Sequence, residues 1–324
     1  MGIQRKRVNW VLDADIRGFF DNMNHEWTMK LVEHRVADHR ILRLIQKWLK
    51  AGVSEDGQWS ESKVGTPQGA VVSPLLANVY LHYVFDLWIE AWRRKVATGD
   101  VIVVRYADDL VVGFENRIEA ERFLEAFRER LAEFGLELHP EKTRLIEFGR
   151  FAAQDRERRG EGKPETFTFL GFTHFCGKRR SNGTFTVWRK TAKKRMVAKL
   201  HALKAELRLR MHEPVAEVGA WLRKVVTGYY QYHAVPGNID QLSVFGQRLR
   251  RLWWLTLRRR SQQPVQWDRV ARISAHWIPA QRVLHPYPVI RFLATDPRGS
   301  RMRRRASTDL CGGRSANDRP YRDT

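Results

Sequence analysis

The chain has 324 residues, is 43% hydrophobic with 12 Trp, and carries a formal net charge of +22. That length is enough for roughly two domains with buried cores, and the apolar share excludes a disordered polyelectrolyte. No run is apolar enough to span a bilayer, no signal peptide precedes the first predicted strand, and the two cysteines, Cys176 and Cys311, match neither a disulfide framework nor a zinc pattern; a reducing cytoplasm is the expectation.

The charge is unevenly spread. Residues 1–150 hold 22 Lys and Arg against 23 Asp and Glu, whereas residues 151–324 hold 36 against 13. A near-neutral half is therefore joined to one that attracts polyanions. The basic half has 28 Arg and only 8 Lys, a balance that suits phosphate and stacked-base contacts better than plain solubility. Nucleic acid is the leading partner and an anionic membrane surface a distant second.

In chain order, residues 8–16 read as a strand with Trp10, Leu12, Ala14 and Ile16 on one face and Val11, Asp13 and Asp15 on the other. Residues 26–50 have helical spacing, and residues 53–64 suggest a hairpin around Asp56-Gly57. Gly65-Thr66-Pro67-Gln68-Gly69 is a loop at the entrance of a helix that starts at Ser73-Pro74, with Ser73 as N-cap, and runs through Trp88. Val101–Val104 and Leu110–Phe114 flank a polar centre, Arg105-Tyr106-Ala107-Asp108-Asp109, and predict a hairpin with the acidic pair at its turn. An amphipathic helix is expected over 117–134, two short strands around His139-Pro140-Glu141-Lys142, and a charged loop over 152–165. Phe167–Phe175 and Thr184–Trp188 read as a hairpin; basic helices follow over 191–211, 215–233 and 239–260, and residues 296–324 are Arg- and Gly-rich.

Adjacent carboxylates disfavour each other's ionisation, and a bound divalent cation removes that cost. With a third acid from a distant strand, Asp15, Asp108 and Asp109 can hold two Mg²⁺ ions about 3.5–4 Å apart, one activating an attacking hydroxyl and one steadying a leaving oxygen. Asp13 rivals Asp15, lying on the same strand face about 6.6 Å away; spacing does not choose between them.

DIRGFFDN (15–22), QGAVVSPLLAN (68–78), YADD (106–109), GLELHPEKT (135–143) and FLGF (169–172) stand in the order found in reverse transcriptases. With the basic helical region that follows, the chain closely resembles group II intron-encoded reverse transcriptase–maturases. The resemblance implies an α+β fold: a reverse-transcriptase palm of antiparallel sheet and packed helices, then an α-helical thumb and maturase domain. It divides the chain into a palm over 1–176, a helical thumb/maturase region over 177–260 and a basic maturase extension, partly disordered, over 261–324. It implies an RNA-directed DNA polymerase with maturase activity, acting on intron RNA, an RNA template with a DNA primer, and dNTP, in a bacterial cytoplasm and on the nucleoid when bound to DNA.

Carried over by position, the resemblance makes Asp15 a metal ligand with the Ile16 carbonyl beside it, Asp108 a second ligand, and Asp109 the completion of the acidic centre. Phe20 falls where an aromatic ring excludes a 2′-hydroxyl and so selects dNTP. Gln68 and Gly69 match the loop against the nascent base pair, Lys142 a basic residue near the triphosphate, and Phe169, Leu170, Gly171 and Phe172 the primer grip. Each has a plainer reading as core aromatic, helix-entry turn, solvated lysine or tight turn. Lys193, Lys194, Arg195, Lys199, Arg250 and Arg251, interleaved with Trp221, Tyr229, Tyr230, Tyr232, Trp253 and Trp254, suit RNA binding with some base stacking.

The chain opens a few residues before Asp15, whereas the family carries an N-terminal fingers region there. The expectation is a fragment, a truncated frame or a split protein with a separate fingers polypeptide. The competing reading is a polymerase-inactive RNA-binding remnant.

Overall fold

The computed structural model describes residues 2–50, 53–55, 58–60, 65, 72–179, 182–260 and 265–287. They form two compact units, one over Gly2–Lys199 and one beginning at Leu200. The first is α+β, as expected.

Its centre is a four-stranded antiparallel sheet. Strands β1 (Trp10–Asp15), β2 (Val101–Tyr106), β3 (Asp109–Phe114) and β4 (Arg144–Glu147) lie in the order β2-β3-β1-β4. Strand alternation gives the sheet two faces. Leu12, Ala14, Leu110, Val112 and Phe114 enter a core with helices on that side, including Phe85, Phe123 and Phe127, all fully buried. Val11, Val111 and Ile146 point the other way, against Phe148 and Phe167 of a second core. Phe167 belongs to a separate three-stranded sheet, β5 (Phe167–Phe169), β6 (Phe172–Lys178) and β7 (Phe185–Thr191). Two further short strands, Val53–Glu55 and Gln58–Ser60, pair with two residues between them, the hairpin expected around Asp56-Gly57.

Several expectations need correcting. The helix over 26–50 is two helices, His25–Glu33 and His39–Lys50. Asp38 Oδ1 accepts the Arg40 N–H at 2.8 Å and restarts the second. The break shifts the helical phase: Leu42, Ile45 and Leu49 are buried while Ile41, Leu44 and Trp48 are exposed. Ser73 is already inside the helix Ser73–Leu81, capped at Val72 without a side-chain hydrogen bond. The chain then runs helically to Lys95, passing through a five-residue π-helical segment, His82–Asp86. Of the two strands expected around 139–142 only Arg144–Glu147 forms, paired with β1; the other is reduced to a single bridge, Ile16 to Leu138. Residues Ala152–Arg158 are a helix, not a loop, with Ala152 buried and Arg156 paired to Glu161 beyond its end (3.2 Å). Phe167–Phe175 is itself a hairpin, turning at Leu170-Gly171.

The helix Lys193–Leu209 leads from the first unit into the second, which holds Val215–His233, Ile239–Arg258 and Trp267–Trp277. Its core includes Leu222, Val226, Phe245, Leu249 and Trp253. Tyr229 and Phe245 stack at 3.8 Å. Burial of Tyr229, Tyr230 and Trp253 removes them from base stacking; Tyr232 stays exposed. Among the described residues no helix is long and apolar enough to cross a membrane. Residues 296–324 lie outside the described residues.

Candidate active site

The hairpin β2–β3 turns through two residues, Ala107 and Asp108, because Tyr106 pairs with Asp109. Asp109 opens β3 and stands directly opposite Asp15, the last residue of β1. In such a cross-strand pair the side chains leave the sheet on one face with Cβ atoms about 5 Å apart. The distant acid and the acidic pair thus meet at one end of the central sheet. Asp13 shares that face one step further in.

The electrostatics follow from this crowding. Desolvation, then the charges of Asp108 and Asp15, hold the Asp109 carboxyl above the usual range, while Arg195 and Lys142 pull it down. Burial pushes Asp13 up to about 6 against the opposing pull of Arg144, whose guanidinium lies 3.6 Å away. The Ile16–Leu138 bridge and the hydrogen bond from His139 N–H to the Asp15 carbonyl (2.7 Å) draw the 137–143 segment alongside. That brings Lys142 Nζ to 3.0 Å from Asp15 Oδ2.

Phe20 is half-buried in the short helix Phe19–Asn22, edge-on to Phe19 at 5.4 Å, with Phe19 fully inside. Gly65 sits against the same segment. Its N–H donates to the Met23 carbonyl (2.9 Å), its φ is +84°, and a Cβ there would meet the Asp21 carbonyl oxygen at 2.5 Å. Only glycine fits this approach. The start of the 65–69 loop is therefore pinned beside Phe20, while Gln68 and Gly69 lie outside the described residues. Phe169, Leu170, Gly171 and Phe172, the positions expected to form a primer grip, make the β5–β6 turn, with Leu170 at φ 49° and Gly171 at φ 76°. Lys193, Lys194, Arg195 and Lys199 are exposed, as is Arg251, with Arg250 half-buried.

A divalent ion is implied by the resemblance, and the donors suit one. They are hard carboxylate oxygens whose mutual repulsion a cation relieves, and the Lys142 ammonium already sits in their field. Among the described residues, however, no group of three or more His, Cys, Asp or Glu side chains is gathered closely enough to hold a metal ion.

A family model described as reverse transcriptase (RNA-dependent DNA polymerase) matches residues 2–174, more than half of the chain. The chain belongs to this family. The resemblance to group II intron-encoded members is borne out by its relatives. It is similar to the group II intron-encoded protein LtrA of Lactococcus lactis subsp. cremoris, 45% identical over 75 residues, covering 23% of this chain and 12% of LtrA. Protein YkfC of Escherichia coli K12 is 32% identical over 146 residues, covering 36% of this chain and 38% of YkfC. An uncharacterized 91 kDa protein in the cob intron of Schizosaccharomyces pombe is 40% identical over 90 residues, 28% of this chain and 11% of that protein. The matches thus span well under half the length of these relatives. Among solved structures, telomerase from Candida tropicalis aligns with a TM-score of 0.42 at 16% identity, over 56% of this chain and 35% of that one.

The sequence assigns no partner to Arg105, named only as part of the polar centre, or to Asp86. Arg105 and Asp86 each sit alone inside an apolar run, VIVVRY and HYVFDLW. A lone charge within buried structure requires a partner, and that signal was available.

Proposed function

We propose that this chain carries the nucleotidyl-transfer centre of a group II intron reverse transcriptase with maturase activity, copying RNA into DNA. The observation that supports it most is the opposition of Asp15 and Asp109 across β1 and β3, with Asp108 at the adjoining turn. Asp15, Asp108 and Asp109, with the Ile16 carbonyl, would hold Mg²⁺. When bound, the two ions supply an activated attacking hydroxyl and a stabilised leaving oxygen.

The chain's own groups have separate tasks in this reading. Phe20 presents a ring beneath the incoming sugar and excludes a 2′-hydroxyl. The loop that Gly65 pins would carry Gln68 and Gly69 to the nascent base pair. Lys142, held at Asp15, is placed to donate to the triphosphate once that pairing exchanges. The Leu170-Gly171 turn, flanked by Phe169 and Phe172, seats the primer end. The basic helices take intron RNA and the template–primer duplex by their phosphates.

A second reading, an RNA-binding protein without polymerase activity, draws support from the exposed basic face of Lys193, Lys194, Arg195 and Lys199, which needs no catalytic centre to bind RNA. Primer extension by the purified chain on an RNA template separates the two. We expect Mg²⁺-dependent dNTP incorporation that Asp108→Ala abolishes while RNA affinity stays within about twofold. RNA binding without incorporation at any Mg²⁺ concentration would favour the second reading.

A further inference from the structure

Arg105 is the most heavily engaged side chain near the acidic turn, although nothing in the proposed reaction uses it. Its guanidinium donates through Nε to Asp86 Oδ1 (2.7 Å) and through Nη2 to Asp86 Oδ2 (2.6 Å). This is a bidentate fork, and the Arg105 side chain is only 15% exposed. The remaining nitrogen, Nη1, donates to Asn78 Oδ1 (2.9 Å) and to the Ala107 carbonyl (3.1 Å). Asn78 is itself oriented, since its Nδ2 donates to the Pro74 carbonyl at 2.9 Å.

The last of these contacts reaches the turn that carries the acids. Ala107 has φ +53°, a conformation that an L-residue with a Cβ adopts only when the surroundings enforce it. Glycine would take it without penalty, and this position lacks one. A hydrogen bond to the Ala107 carbonyl fixes the peptide between Ala107 and Asp108, and with it the direction in which Asp108 and Asp109 leave the backbone.

The other end of the fork lies in the π-helical segment. His82–Asp86 contains one residue more per turn than an α-helix, and the Leu87 N–H reaches back to the His82 carbonyl. Without the wider turn, every residue beyond it would rotate by about 100° relative to Asn78. Asn78, ahead of the bulge, and Asp86, its last residue, face the same guanidinium.

We propose that Arg105 is a positioning residue for the acidic centre, braced by Asp86 and Asn78 and acting through the Ala107 carbonyl to hold the Ala107–Asp108 turn in its strained form. Its consequence for catalysis rests on the polymerase reading; the brace itself does not.

Two measurements on the full chain test it. In hydrogen–deuterium exchange, Arg105→Ala and the milder Arg105→Lys should each speed exchange across residues 104–110 by about tenfold, with helix Arg117–Glu133 unchanged as the fold control. Asp86→Asn, which breaks the fork from its other end, should do the same. Unchanged exchange across the turn in Arg105→Lys and Asp86→Asn would overturn the proposal. In primer extension, Arg105→Lys should lower kcat about tenfold with the dNTP KM within about twofold, and Ala107→Gly in that background should recover part of the loss, because glycine takes the left-handed turn unaided. A chain that incorporates equally well with Arg105→Lys would refute the catalytic consequence. A wild-type chain that incorporates nothing would count against the polymerase reading, leaving the exchange result to decide the brace.

Discussion

Asp13 illustrates how far one residue's surroundings set its chemistry. It shares a strand face with Asp15, yet it is turned toward Arg144 and lies deeper, and burial lifts its carboxyl to about 6 from an ordinary 3.8. Below pH 3.8 the folded and unfolded chains are both protonated there, and the folded state keeps its full advantage. As pH rises toward 6 the unfolded chain ionises first, so stability drains away through that window and then levels off. The loss reaches about 3 kcal/mol. Asp13→Asn removes the titration, and Arg144, nearly half exposed, is resolvated at little cost. Urea unfolding at pH 4, 5, 6 and 7 should show the variant more stable than the parent at pH 7 and the two converging near pH 4. Parallel curves across that range would mean that Asp13 is ionised at no cost. The choice between Asp13 and Asp15 was open in the sequence because a period of two places both on one face. Strand pairing aligns Asp15 with Asp109 and Asp13 with Val111, a register that a period of two does not specify.

At the scale of elements, the β5–β6 hairpin carries strain at an identifiable place. Leu170 and Gly171 both have positive φ, the pattern of a tight two-residue turn that favours Asn-Gly. Leu170→Asn should therefore raise stability by about 0.5–1 kcal/mol, read as an increase in Tm. If Tm falls instead, Leu170 contributes packing that outweighs its backbone cost. Under the primer-grip reading the same variant should extend a primer less well, since the apolar turn is then the surface that seats the primer end. Elements with an uninterrupted apolar period were the legible ones: the strand ending at Asp15, the 101–114 hairpin and the helix Val215–His233 all stand where the pattern puts them. What escaped was set by contacts remote in sequence. The break before His39 depends on an Asp38 cap inside a pattern that reads straight through, the helix Ala152–Arg158 has few apolar residues, and the π-helical segment carries Asp86, whose partner Arg105 stands on strand β2. The site was legible where motifs name residues, and illegible where a charge is placed by a partner some 20 residues away.

At the scale of the whole molecule, the governing quantity is the charge concentrated beyond residue 150. Lys193, Lys194, Arg195 and Lys199 follow one another along the start of one helix, all exposed and, among the described residues, none in a salt bridge. Among the described residues no salt bridge competes with phosphate for them, although the charge of Arg195 also acts on Asp109. If they bind RNA as proposed, each contact releases condensed counterions, and log K should fall with log salt by about 0.7 per phosphate neutralised on a single strand. Filter binding of the full chain between 50 and 300 mM salt would give the parent slope. Replacing all four with Gln should make that slope shallower by about 2–3 and weaken binding at low salt far more than at high salt. Arg251→Gln, a single exposed change in another helix, provides the comparison at about 0.7. A fourfold variant with the parent's slope would move the RNA contact away from this helix, whatever the net charge of the half that contains it.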